Sequence, residues 1–236
     1  MAIDVATAAE FYRSRIGVVA ARLVRERLAA LWPDLAGCSL LGLGYAAPYL
    51  RLWREGAGRC IALTPAHVGA ARWPTGAANL SCTAEEGALP FPDLTFDRIL
   101  LVHGLEAAEN ARGLLREVWR TLRDDGRLLV VAPNRRSPWA YVEGTPFGQG
   151  QPYSARQLGG LLTASLFRIE RRDAALFVPP GNMRLLLRGA ELWERSGRRL
   201  ASQFGGVTIS EAVKDCYAAL PIKALEHRRL VLAEAA

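Results

Sequence analysis

A chain of 236 residues, half of them hydrophobic and 22% charged, is long enough to bury a sizeable core and too apolar to be disordered, which points to one globular domain with additions. No apolar run reaches the length of a membrane-spanning helix, and arginines interrupt the apolar core that a secretion signal would need near the N-terminus, so a cytoplasmic protein is expected. The net charge of +7 and pI near 9.7 raise nucleic acid or an anionic surface as partner, but Lys214 and Lys223 are the only lysines and the arginines are spread along the chain, so nucleic acid stays open without being favoured.

In chain order, "EFYRSRIGVVAARLVRERLAALW" places Phe11, Ile16, Val19, Leu23 and Leu28 on one face of a long helix, an N-terminal extension over residues 1–32. "CSLLGLG", "RCIALTP" and "NLSCTAE" follow as short strands, and "DRILLVHGL" and "GRLLVVAPN" as longer ones. These continuous apolar runs are the mark of strands covered on both faces. Between the last two, Leu114, Leu115, Val118, Trp119 and Leu122 form a helical stripe, with Asp124, Asp125 and Gly126 as its expected stop. Strand and helix in alternation give a doubly wound, mainly parallel α/β sheet.

Beyond it, Ser154 is placed to cap the helix "ARQLGGLLTASL", and "FRIERRDAALFV" and "GVTISEAVK" read as the last two strands. The stretch over 180–205 is too long for a hairpin and has helical periodicity, so it reads as a helical insertion or lid before the last strand. Its Leu185, Leu186, Leu187 and Trp193 would cover an apolar substrate or, more simply, pack into the core. Cys38, Cys60, Cys82 and Cys216 form no CxxC pair; they read as small buried thiols, and no metal site is expected. No linker or repeat divides the chain, so 1–236 is taken as a single domain.

Ligands of such a sheet bind beyond the carboxyl ends of the strands, where Gly42, Gly44, Thr64, Glu85, His103 and Asn134 fall. "GLGYAA" fits the dinucleotide fingerprint, yet the acid expected about 20 residues later is absent. Arg72 would have to meet a ribose phosphate instead, which leaves an NADP-dependent oxidoreductase as a third reading.

Glu85, then Leu89-Pro90-Phe91, then Phe96-Asp97, then Leu115-Arg116-Glu117 with Arg120, Leu122, Gly126 and Leu128 occur in one order over roughly half of the chain. This set resembles class I S-adenosylmethionine (SAM)-dependent methyltransferases of the type 11 group. The resemblance implies a seven-stranded Rossmann-like sheet and SAM as cofactor. It assigns Gly42, Gly44 and Tyr45 to the turn passing the amino-acid part of SAM, with a glycine needed where a side chain would fill the ligand's space. It assigns Glu85 or Glu86 to the adenine amino group, and the backbone and side chains around His103 to the methionine part. The chain departs from the family pattern at two acids. Leu40 or Leu41 stands where an acid usually precedes the glycines, and Thr64 stands near the place of the ribose-binding acid.

Methyl transfer needs positioning of a nucleophile more than a fixed catalytic residue, so no catalytic base is named. Asn134, Arg135, Arg136, Trp139, Tyr141 and Tyr153 are the substrate-side candidates, the arginines for an anionic group and the aromatics for a planar one. A SAM-dependent methyltransferase with an open acceptor is the first reading. A non-catalytic methyltransferase-fold partner or regulatory protein that has lost SAM is the second.

Overall fold

The computed structural model describes residues 5–69, 72–181 and 188–215. The apolar runs become seven strands: β1 (Ser39–Gly44), β2 (Arg59–Pro65), β3 (Ser81–Ala84), β4 (Phe96–Val102), β5 (Leu122–Pro133), β6 (Phe167–Ala175) and β7 (Val207–Lys214). They form one sheet in the order β3-β2-β1-β4-β5-β7-β6. The pairs from β3 to β5 are parallel, and β7 is antiparallel to both β5 and β6. The doubly wound, mainly parallel sheet expected from the sequence is therefore present.

Both faces of the sheet are covered because successive side chains alternate. Leu40, Leu100, Val102, Leu129, Val131 and Ile209 face one core with Leu23, Val24 and Leu28 of helix α2 (Arg15–Leu31). Leu41, Leu43, Ile99, Leu101, Leu128 and Val130 face the other, with Leu114, Leu115 and Val118 of α4 (Ala111–Thr121) and Leu158 and Leu162 of α5 (Ala155–Ala164). Ser154 caps α5 through a reciprocal box with Gln157, as its position before the helix suggests.

Three local expectations change. The N-terminal helix is two helices, α1 (Val5–Arg13) and α2, broken at Ser14, whose Oγ accepts from Gly17 N at 3.1 Å. A Cβ at Gly17 would fall 1.9 Å from Phe11 O, so the bend depends on glycine there. Helix α4 stops at Thr121, and Asp124 to Gly126 lie inside β5. The carbonyls of Arg120 and Thr121 accept from Leu94 N and Thr95 N, which ends the helix before the acidic pair is reached.

Within the 180–205 insertion, α6 (Ala190–Leu200) is described, whereas Leu185, Leu186 and Leu187 lie outside the described residues. Trp193 is 45% exposed, so it does not pack into the core. Glu194 anchors α6 instead: its two carboxylate oxygens accept from Leu176 N and Phe177 N at 3.0 and 2.8 Å. The remaining helix, α3 (Ala47–Leu50), is a single turn beside β1. Cys60 is buried, which pushes its thiol up to about 11, and Cys38 and Cys82 are half-buried. Cys216 lies outside the described residues.

Candidate active site

Helix α1 lies over the carboxyl ends of three strands. Its Val5 and Ala8 cluster with Val68 in the turn after β2, Tyr45 after β1 and Ala107 after β4. Its Tyr12 reaches furthest in. The ring stacks on Tyr45 with centroids 5.6 Å apart, and the hydroxyl lies 2.7 Å from His103 Nε2 and 2.8 Å from Tyr49 Oη. His103 Nδ1 lies 2.9 Å from Glu106 Oε1. A carboxylate can only accept, so the assignment that satisfies all four groups has His103 Nδ1–H donating to Glu106, Tyr12 donating to Nε2, and Tyr49 donating to Tyr12.

The side chain of His103 is committed within the fold. It is 1% exposed with both ring nitrogens bonded, so here it holds Tyr12 and presents no free lone pair. Its backbone is left-handed, φ 50°, a conformation that two ring hydrogen bonds help to hold. Burial, and then the neighbouring Tyr49, pushes the Tyr12 phenol well above its usual range. Glu106 is buried, and its second oxygen, Oε2, has no hydrogen-bond partner.

The glycines are required by the protein's own packing. Gly44 has φ 81°, and a Cβ there would fall 2.3 Å from Val102 O and 2.8 Å from Gly104 N. At Gly42 a Cβ would fall 2.5 Å from Leu50 Cδ1. The protein's own backbone and a core leucine fill those spaces. Thr64 is the penultimate residue of β2, buried opposite Thr83 of β3 at the carboxyl end of the strand.

On the β2–β3 side of this edge a cavity of about 460 Å³ is lined by His67, Glu85, Glu86, Glu109 and Asn110, among others. Glu85 is exposed; Glu86 is buried. Glu86 Oε2 accepts from Glu109 N at 3.2 Å, while Oε1 makes no hydrogen bond and lies 3.5 Å from His67 Nε2. Burial pushes the Glu86 carboxyl up, against the opposing pull of His67.

The substrate-side candidates divide into structural and available groups. Asn134 is buried, donating to Gln203 O and Gly205 O and accepting from Arg136 N, so it ties β5 to the loop before β7. Trp139 is also structural: its Nε1 donates to Val178 O at 2.7 Å, and its ring meets Phe11 and Phe147 edge-on. Tyr153 is half-buried, with its hydroxyl 3.4 Å from Leu105 O. Its phenol is raised by burial and then by Glu106. Arg135 and Arg136 are exposed, and Tyr141 is 79% exposed.

Residues 37–130 match the family model described as a methyltransferase domain, Methyltransf_11. The matched segment, less than half of the chain, resembles a methyltransferase domain. It holds β1 to β4 and the acid-lined cavity, whereas α1 and everything from Asn134 onward lie outside it. An uncharacterized protein of Mycobacterium tuberculosis is 33% identical over 101 residues, 40% of this chain and 35% of that protein. A demethylmenaquinone methyltransferase of Tropheryma whipplei is 42% identical over 52 residues, 22% of each chain. The chain thus spans about a third of the length of the mycobacterial relative it matches.

The fold extends beyond the matched segment. A SAM-dependent methyltransferase from Thermotoga maritima superposes with TM-score 0.61 at 15% identity, covering 87% of this chain and 94% of that one. A methyltransferase in complex with the Trm112 activator of Haloferax volcanii gives 0.60 at 15% identity, covering 88% and 97%. The [4+2]-cyclase SpnF gives 0.54 at 21% identity, covering 82% and 80%. At these identities the likeness is one of fold.

The sequence reading missed Tyr12, Tyr49, His67 and Glu106. Glu106 follows His103 by three residues, the one trace of the network visible locally. Tyr12 is 91 residues from His103, and nothing in the sequence joins them.

Proposed function

We propose that the chain is a SAM-dependent methyltransferase whose cofactor lies along the carboxyl ends of β1 to β4. The observation that carries this reading is Glu86 Oε1, a buried carboxylate oxygen without a hydrogen-bond partner, in a cavity inside the matched segment. Such an oxygen is costly unless a donor meets it. SAM is rich in donors at the ends concerned, with ribose hydroxyls, an adenine amino group and an ammonium. Glu85 and Glu86 suit the adenosine end. His67 stands in the turn where the family pattern has an acid, and Glu106 Oε2 is the buried acid available to an ammonium in place of the one missing from β1.

When bound, SAM supplies a methyl group activated by a sulfonium. The chain's part is to orient the reacting groups and exclude water. Gly44 lets β1 and β4 close to backbone contact under the site. Helix α1 roofs it, and the Glu106–His103–Tyr12–Tyr49 chain fixes the roof. The deciding experiment is a calorimetric titration with SAM and S-adenosylhomocysteine, with NADP as control. Micromolar binding of the SAM species, weakened by Glu86→Gln, is expected. A folded protein that binds neither overturns the reading and leaves the non-catalytic role.

A further inference from the structure

The arginines that look scattered in the sequence converge on one groove. A cavity of about 940 Å³ is lined by Arg136, Arg156, Arg172 and Arg198 together with Thr163 and Thr208, among others. It shares Arg136 and Ser154 with a second cavity of about 610 Å³, which adds Arg135, Tyr141 and Phe204. A third, of about 540 Å³, continues past Arg135 and Tyr141 to Tyr153. The three form one groove at the carboxyl ends of β5 and β6, across the sheet edge from the acid-lined cavity.

The charges in this groove are not neutralised from within. None of Arg135, Arg136, Arg156, Arg172 and Arg198 makes an ion pair with a carboxylate among the described residues. Asp173 is the one acid lining the 940 Å³ cavity, and Arg27 of α2 occupies it from outside. Arg135 and Arg136 hydrogen-bond only to neutral amides, Gln157 Oε1 at 3.2 Å and Gln203 Oε1 at 3.3 Å, so their charge stays available. Tyr141 and Phe204 stand beside them, 79% and 48% exposed. Guanidinium forks match phosphate oxygens, and exposed aromatic faces stack on planar rings.

We propose that this groove binds a nucleotide, its phosphate held by Arg136, Arg156, Arg172 and Arg198 and its base stacked on Tyr141. As the acceptor side of an enzyme the groove rests on the methyltransferase reading; as a binding site it does not. The ligand is a free nucleotide or a nucleotide within a single strand, and the test separates the two.

Calorimetry with UMP, whose pyrimidine avoids the adenosine end of the other cavity, is run beside anisotropy with a short fluorescein-labelled single-stranded RNA, and S-adenosylhomocysteine is titrated into every variant. Arg156→Glu with Arg172→Glu should weaken binding by about tenfold or more and lower the salt slope by about two. Arg112→Glu with Arg116→Glu on α4 makes the same change in net charge away from the groove and should leave binding within about twofold. Tyr141→Ala should weaken UMP but not pyrophosphate. Equal affinity for UMP and RNA identifies a free nucleotide, and much tighter RNA binding identifies a strand. No nucleotide binding by folded protein, or equal losses in the groove and control reversals, would overturn the proposal. So would indifference of UMP to Tyr141→Ala. S-adenosylhomocysteine binding that persists in those cases shows that the groove has failed and the cofactor reading has not.

Discussion

The two ends of the sheet's carboxyl edge are built in opposite ways. At the β1–β4 end the polar groups are buried: Glu86, His103 and Glu106 sit among strand tips that touch backbone to backbone at Gly44. At the β5–β6 end five arginines line the groove, and a buried ionic group, Glu211, lies in β7. Arg171 pairs with Glu211 while its neighbour Arg172 lines the groove, as alternation along a strand requires. One end has little room to relax and holds acids that lack donors; the other has a rigid base and charges that lack counter-ions. Substitutions of groups paired within the fold should therefore act on stability, and substitutions of groups left without a partner on ligand binding.

The largest expected effect is Gly44→Ala, which combines a left-handed backbone with a Cβ driven into Val102 O. A loss of about 4 kcal/mol in denaturant unfolding is expected from strain and overpacking together. Next is Glu211→Gln. Burial alone would raise the Glu211 carboxyl, but hydrogen bonds from Arg171 and Trp32 hold it below its ordinary value. Removing its charge should cost about 3 kcal/mol. A depressed folded-state pKa gives stability that is present above the unfolded value of about 4.3 and is lost as pH falls through the lower folded value. The wild type should thus lose stability along that acid limb, and the variant should show a flatter one in melts at stepped pH. A wild-type acid limb no steeper than the variant's would remove Glu211 as the base of the arginine half.

Glu86→Gln tests the acidic end directly. It should weaken S-adenosylhomocysteine by about tenfold, the equivalent of one charge-assisted hydrogen bond of about 1.5 kcal/mol, without lowering the melting temperature. Because burial raises the Glu86 carboxyl, it takes up a proton at a higher pH than an ordinary glutamate. Wild-type affinity should therefore start to fall, on acidification, above the usual range near about 4.3, and the variant's should not. Tyr12→Phe keeps the stacked ring but leaves His103 Nε2 and Tyr49 without their partner, at a cost of about 1 kcal/mol in the same unfolding assay. The smallest effect is Tyr141→Ala, within about 0.5 kcal/mol of wild-type stability because the side chain is exposed. A larger loss there would mean that Tyr141 supports the groove instead of serving it.

The sheet and the faces of its helices were legible in the order of amino acids alone. Apolar runs and period-3.6 stripes are local: Leu40 and Leu41 alternate onto opposite cores, and Leu114, Leu115 and Val118 fall together on one, without knowledge of any partner. Glycine at positions 42 and 44 was expected beside a ligand; the packing need appears only when Leu50 and Val102 become their neighbours as strands and α3 pack. The site was not legible in that order, because its parts meet only on folding. Tyr12 meets His103 from 91 residues away. Trp139 passes from substrate candidate to core because Val178 O waits for its Nε1. Arg136, Arg156, Arg172 and Arg198, spread over four segments, become one basic groove. Hydrophobic periodicity is written along the chain; hydrogen-bond partners and charge density depend on distances through space, which a chain acquires only by folding.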